Sequence, residues 1–379
     1  MNIDYIIDGI KRDLNNKEES FYSHWSAPSN IALVKYWGKK EGIQIPANPS
    51  LSVTLDQART EVELKAVASS KDTGSDWIQL IFEGQEMPSF LPKIEKFFNY
   101  VKAYNPYLKD FSFQLNTSNS FPHSAGIASS ASSMAAIACC LVEFEQWLLD
   151  TEYDPDFFLY RSSFYARLGS GSACRSLFPK AASWGSVDSS MGEEENRDLT
   201  PHDLFASPVE VHPDLENLYD TIVIVDSGEK KVSSRAGHGL MKDHPYAHSR
   251  FIQANQNWNY VYQWLKEGQW DYLGAVIEEE ALALHAMMMT SRPGYLLMAP
   301  QTIKAIELLR QYRHETGVPL YFTLDAGPNL HILYPKSARD KAFNFIQNTL
   351  LSQLEGASLL DDQMGSGALN LAKGKIPHE

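Results

Sequence analysis

The chain has 379 residues, 44% of them hydrophobic and 12% aromatic, a composition of soluble globular proteins and not of disordered ones, and its length favours two domains with sizeable cores. Its net charge of −14 excludes a broad nucleic-acid or anionic-membrane surface, so an anionic ligand must be met by a local positive site. Three cysteines, Cys139, Cys140 and Cys174, form no CxxC pair and no even disulfide framework, the pattern of reduced thiols in a cytoplasmic protein.

The chain opens with Ile3, Ile6, Ile7, Ile10 and Leu14 at helical spacing, and its acidic residues and short apolar runs are unlike a signal peptide. No run approaches the roughly 18 apolar residues of a membrane span. LSVTL (51–55), RTEVELKAV (59–67) and WIQLIFEG (77–84) predict short strands, followed by a helix near 93–103. FSFQLNTSN alternates Phe111, Phe113 and Leu115 inward as a strand, and SSMAAIACCLVEFEQWLL (132–149) reads as a long buried helix. DPDFFLYRSSFYARL (154–168) is helical, with Asp154 as N-cap ahead of Pro155. The polar stretch 186–204 reads as a surface connection between domains, which sets the boundary at 205/206. TIVIVDS (221–227) starts a second set of elements, with helices near 247–266, 270–289 and 300–315. LYFTLDAGPNLHILYP closes the pattern as strand, Gly-Pro turn, strand, and the tail after about 363 reads as mobile.

Four stretches carry chemistry. In FPHSAGIASSASS (121–133), nine of the ten residues from Ser124 to Ser133 are Gly, Ala or Ser, between a strand and a helix. Such a loop lets backbone N–H groups approach a phosphate at a helix N-terminus, with serine hydroxyls to hold phosphate oxygens or a metal; it equally suits a tight connection. No Walker A pattern is present. SAPSNIALVKYWGKK (26–40) sets Lys35, Lys39 and Lys40 beside Tyr36 and Trp37, either at a cleft mouth or as solvated lysines at a strand end. ARLGSGSACRSLF (166–178) surrounds Arg175 with Gly and Ser, so that it projects toward a carboxylate or phosphate or merely decorates a turn. In LDAGPN, Asp325 ends a strand, as a base or as a turn residue.

Taken in order, NIALVKYWGKK, PHSAGIASSAS, GSGSACRS, KKVSSR and DAGPN resemble the diphosphomevalonate decarboxylases of the GHMP kinase superfamily over most of the chain. The resemblance implies an α+β GHMP kinase fold: an N-terminal ribosomal-protein-S5-like α/β domain (1–205) and a C-terminal ferredoxin-like α+β domain (206–379), with ATP and substrate between them. It implies ATP-dependent conversion of mevalonate 5-diphosphate to isopentenyl diphosphate, ADP, phosphate and CO2, with Mg²⁺ and a homodimer. Asp325 would orient or deprotonate the C3 hydroxyl, Lys35 would keep that carboxylate ionised, and Arg175 would clamp the substrate carboxylate. Tyr36, Lys39, Ser172, Ser233 and Arg235 would contact substrate and its diphosphate. Ser124, Gly126, Ser129, Ser130 and Ser132 would bind ATP, with Ser130 reaching its metal. His123-Ser124-Ala125 departs from the family's Thr-Ala, as does Ile127 from its Leu. HPYAH (244–248) has Pro245 inside it and is not expected to bind metal; His285 reads as a helix-packing residue or one supporting the site from behind. The rival readings are a mevalonate 5-phosphate decarboxylase, a mevalonate 3-kinase, and a silent binder on the same fold.

Overall fold

The structure, a computed structural model, describes residues 2–7, 9–10, 20–69, 77–121, 127, 129–187, 199–226 and 234–372, the side chains of 234 and 235 excepted. Two sheets organise it. The first contains β1 (Ser20–Val34), β2 (Ser50–Ala68), β3 (Ile78–Phe82), β4 (Gln85–Glu86), β5 (Phe111–Asn119), β6 (Ala181–Trp184) and β7 (Ser207–Pro208). The second contains β8 (Tyr219–Ile224), β9 (Tyr321–Leu324), β10 (Leu330–Tyr334) and β11 (Ser358–Gln363); β12 (Leu369–Asn370) returns to the first. The helices are α1 (Leu91–Val101), α2 (Ser129–Leu149), α3 (Pro155–Gly169), α4 (Pro201–Leu204), α5 (Ser234–Gly239), α6 (Ala247–Glu267), α7 (Trp270–Thr290), α8 (Pro300–Thr316) and α9 (Arg339–Phe345).

The first sheet runs β12-β1-β2-β5-β3-β4, with β6 and β7 continuing from the first half of β2. β1 escapes a search for alternation because every residue from Trp25 to Val34 is buried, which erases the period-two signal. The two strands expected at 51–55 and 59–67 are a single strand, β2. Its pairing with β1 slips between Pro28 and Asn30, where proline has no N–H to give the ladder. Phe111, Phe113 and Leu115 of β5 point inward as expected, against α2. α2 is the one helix among the described residues long and apolar enough to cross a membrane, and 72% of its apolar window is buried inside the protein. The Asp154 side chain accepts the Phe157 N–H and caps α3 as anticipated.

The expected opening helix is absent from the described residues. Ile3 and Ile7 are buried while Ile6 is 60% exposed, and the backbone groups a helix would pair internally are taken elsewhere. The Ile3 carbonyl accepts from Arg161, and the Ile7 N–H donates to the Tyr104 carbonyl at 3.0 Å. Arg161 and Glu145, both fully buried, form an ion pair at 3.1 Å, and Tyr5, Tyr153 and Tyr165 donate to the same carboxylate.

The second sheet is antiparallel in the order β11-β8-β10-β9, the 4-1-3-2 arrangement of a ferredoxin-like domain, with α6, α7 and α8 between its first two strands. α6 and α7 fill the space between the sheets: Val261, Leu265, Leu273 and Ile277 share a core with Ile31, Leu33 and Val53. Residues beyond 205 complete the first sheet, since β7 pairs with β6 and β12 with β1. The tail read as mobile is tied down as far as the described residues extend. Met364 N–H donates to the Leu218 carbonyl, Ala368 N–H to the Leu177 carbonyl and Leu371 N–H to the His24 carbonyl.

Candidate active site

The end of β1 delivers Lys35 to the junction of the sheets, and the end of β9 delivers Asp325 to the same point. The Lys35 Nζ lies 3.3 Å from Asp325 Oδ1, with the lysine side chain 2% exposed and the carboxylate 32% exposed. Burial pushes the ammonium below the ordinary lysine range, outweighing the opposing pull of Asp325 and, more weakly, of Glu280. One partner is dry and the other reaches solvent.

Arg175 arrives from a short 3-10 turn, Gly171–Leu177, and is 1% exposed. Its guanidinium is held by neutral groups: Nε donates to Ser52 Oγ at 2.9 Å, one terminal nitrogen to Ser50 Oγ at 2.6 Å and the other to Asn30 Oδ1 at 3.4 Å. Asn30 in turn donates to the Ser172 carbonyl and to Ser176 Oγ, locking the turn to β1. Among the described residues no carboxylate forms an ion pair with Arg175, although the charge of Asp325 reaches it. Burial lowers its proton affinity, but an arginine stays charged. A buried cation held by hydroxyls and an amide keeps its charge available to an anion. The reading of Arg175 as a surface turn residue is therefore set aside.

Tyr36 and Trp37 follow Lys35. A Cβ on Gly171 would stand 2.8 Å from the rings of Tyr36 and Trp184, so only glycine lets this turn close against them. His238 of α5 lies against both Tyr36 and Trp37, at 4.2 and 4.6 Å between centroids, and its Nδ1 accepts the Gly38 N–H. Burial holds that imidazole down at about 3, hence neutral. Lys39 is exposed on the hairpin 38–47, at the rim.

α2 begins at Ser129, and Ser130 Oγ is 3.4 Å from Ser170 Oγ, joining the small-residue loop to the arginine turn. Ser129 and Ser130 are half-buried there. Ser132, expected beside them, faces the interior instead. It is fully buried, with its hydroxyl 2.6 Å from Thr60 Oγ1 and donating to the Ser129 carbonyl, because its position on the helix turns it to the sheet. Ser124, Gly126, His123 and Ser233 lie outside the described residues, as does the side chain of Arg235 in α5. His244 is occupied structurally: Nε2 contacts the Met287 carbonyl and Nδ1 accepts the Tyr246 N–H.

Lys35, Asp325, Arg175 and Tyr36 thus converge, with the Ser172 main chain and Ser130 adjacent. The sequence reading missed the residues that hold them. Ser50, Ser52 and Thr54, hydroxyls alternating at fully buried positions of β2, were the available signal for a buried polar partner. Glu280 and Arg250 carried no such signal.

The chain matches the family described as Diphosphomevalonate decarboxylase-like N-terminal domain over residues 27–196, and Mevalonate 5-diphosphate decarboxylase C-terminal domain over 221–373. The diphosphomevalonate decarboxylase of Gibberella zeae is 30% identical over 336 residues, 83% of this chain and 81% of that protein. The solved chain MDDEF, in complex with MVAPP, AMPPCP and magnesium, superposes with a TM-score of 0.77 at 28% identity, over 93% of this chain and 99% of that one. The mevalonate diphosphate decarboxylase of Staphylococcus aureus gives 0.76 at 28% identity, over 93% and 98%. With both domains matched in order and a buried lysine and arginine meeting a partly exposed aspartate where the family motifs fall, the chain belongs to the diphosphomevalonate decarboxylase family.

Proposed function

We propose that the protein catalyses the ATP-dependent decarboxylation of mevalonate 5-diphosphate to isopentenyl diphosphate, in the mevalonate pathway of isoprenoid biosynthesis. The observation that carries this is Arg175, a buried cation held by neutral groups within reach of the Lys35–Asp325 pair. A kinase acting on the C3 hydroxyl needs the aspartate; it has no need of a dry anion clamp beside it.

Asp325 accepts the C3 hydroxyl proton, with Lys35 stabilising the carboxylate form. Ser129, Ser130 and the first N–H groups of α2 hold nucleotide phosphates, so that positioning and charge compensation carry the transfer. Ser130, half-buried and with a long contact to Ser170 among the described residues, is a fit oxygen ligand for phosphate-bound magnesium, which would supply charge neutralisation when bound. Arg175 takes the C1 carboxylate and holds the C1–C2 bond opposite the C3 oxygen. As the C3–O bond to phosphate breaks, the C1–C2 pair becomes the C2–C3 double bond, releasing CO2 and phosphate. Tyr36, Lys39, Ser172, Ser233 and Arg235 bind the remainder of the substrate. A cytoplasmic homodimer goes with this reading, and the three free, buried cysteines support a reducing compartment.

The test supplies ATP and Mg²⁺ with mevalonate, its 5-phosphate or its 5-diphosphate, measuring ADP and CO2 separately. Both products from the diphosphate are expected. Preference for the monophosphate overturns the substrate, ADP without CO2 makes the protein a kinase, and no product from any of the three makes it a silent binder.

A further inference from the structure

One helix touches both halves of the Lys35–Asp325 pair. Glu280 of α7 is fully buried, and its Oε2 accepts the backbone N–H of Lys35 at 2.9 Å. The same carboxylate receives both terminal nitrogens of Arg250 from α6, at 2.9 and 2.5 Å, and the Asn257 amide at 2.7 Å. Five residues on, His285 is 1% exposed and its Nε2 lies 3.1 Å from the backbone carbonyl of Asp325. A carbonyl accepts, so Nε2 carries the proton, and burial holds the ring down at about 4, so it stays neutral. The two contacts are spaced by about 7.5 Å along the helix axis.

These partners come from different sheets. Lys35 follows β1 in the first and Asp325 follows β9 in the second, so their meeting requires the two sheets to be held in register. α7 bonds the main chain at both points. We infer that α7 is the element that sets the Lys35–Asp325 separation, with Glu280 and His285 as positioning residues acting through the backbones of Lys35 and Asp325. Glu280 has a second effect: its negative charge behind Lys35 favours the charged ammonium. The inference rests on the reading of Lys35 and Asp325 as catalytic residues.

The experiment compares His285→Leu, His285→Gln and Glu280→Gln with the wild-type enzyme. Glutamine places an N–H near the position of Nε2, whereas leucine fills the space without a donor. With His285→Leu, kcat should fall about 10- to 100-fold, the scale of a misplacement near 1 Å, while KM for either substrate stays within about twofold. His285→Gln should recover most of the loss. Equal impairment in both variants, or wild-type kcat in both, overturns the inference.

Glu280→Gln is read in the free protein by titrating Lys35 with carbon-labelled lysine NMR, assigned by the peak missing from Lys35→Met. Its titration should move to lower pH by about half a unit or more; an unmoved titration in a folded variant overturns the role of Glu280. If Glu280→Gln leaves Arg250 uncompensated and does not fold, the His285 pair decides the matter. If the wild-type enzyme turns over none of the substrates, the functional reading fails while the Lys35 titration still tests the positioning.

Discussion

Replacing Lys35 by methionine should separate stability from activity. Methionine has nearly the same length and needs no water, whereas the native ammonium sits 2% exposed with one carboxylate at 3.3 Å. Because Asp325 is about a third exposed, the pair is screened: two unit charges at this distance attract by about 1–2.5 kcal/mol for an effective dielectric of about 40–80. The direction of the Lys35 shift says that burial costs the charged form more than this attraction returns. Removing the ammonium leaves Asp325 hydrated, so the usual penalty for orphaning a buried charge does not arise. The thermal midpoint of Lys35→Met at neutral pH should therefore equal or exceed that of the wild type.

The pH dependence follows from the same sign. A lysine whose folded value lies below its ordinary 10.5 binds fewer protons folded than unfolded, so wild-type stability rises with pH between the folded value and 10.5. The advantage of Lys35→Met should be fully present below that window and fade through it. Activity behaves oppositely: kcat should fall by about 10²–10⁴, the range for losing an acid–base pair. Calorimetry across pH and coupled ADP release are the assays. A midpoint lowered by several degrees at neutral pH, or more than about a tenth of wild-type turnover, would refute the reasoning.

Asp325→Asn should bind mevalonate 5-diphosphate and nucleotide normally by calorimetry while kcat drops by about 10²–10⁴, with CO2 release falling in parallel with ADP release. Ser130→Ala should raise KM for ATP by about 2- to 10-fold, one hydrogen bond of roughly 0.5–1.5 kcal/mol, whereas Ser132→Ala should leave KM unchanged and lose about 1 kcal/mol in urea unfolding, since its hydroxyl bonds Thr60 in the core. Arg161→Met should destabilise by about 3–5 kcal/mol in urea titration, because Glu145 is left fully buried without its cation.

Recognition of the site from sequence worked where chemistry and backbone demand coincide. Gly171 must be glycine to close against Tyr36 and Trp184, and Arg175 in the same turn is a cation buried among hydroxyls, so the Gly- and Ser-rich motif carries both. It failed where the meaning of a residue depends on which way an element turns. Ser130 and Ser132 are indistinguishable in a string of serines, yet a helix sets them about 200° apart, one toward the cleft and one into the sheet. Nothing in the three successive glutamates 278–280 tells them apart, yet α7 buries Glu278 and Glu280, against Arg310, Arg313 and Arg250, and exposes Glu279. The N-terminal isoleucines carry helical spacing, but Arg161 and Tyr104 claim their backbone, a tertiary contact that no local pattern contains.

The way the chain's end is sewn into the first sheet bears on how the protein is made. Gly365 accepts from Lys180, Gly367 from Arg59, and Ala368 donates to Leu177, the last residue of the turn that carries Arg175. β12 then covers the edge of β1, and Glu143 clasps Ser23, Trp25 and Asn370 together. On the ribosome, β1 emerges long before β12, its cover. Until β12 follows, the nascent chain carries an open strand edge and an arginine turn whose outer wall has not been synthesised. Chaperone capture should therefore persist until β12 leaves the exit tunnel, and a stop codon just before 364 should yield an inactive, aggregation-prone product despite retaining Lys35, Arg175 and Asp325.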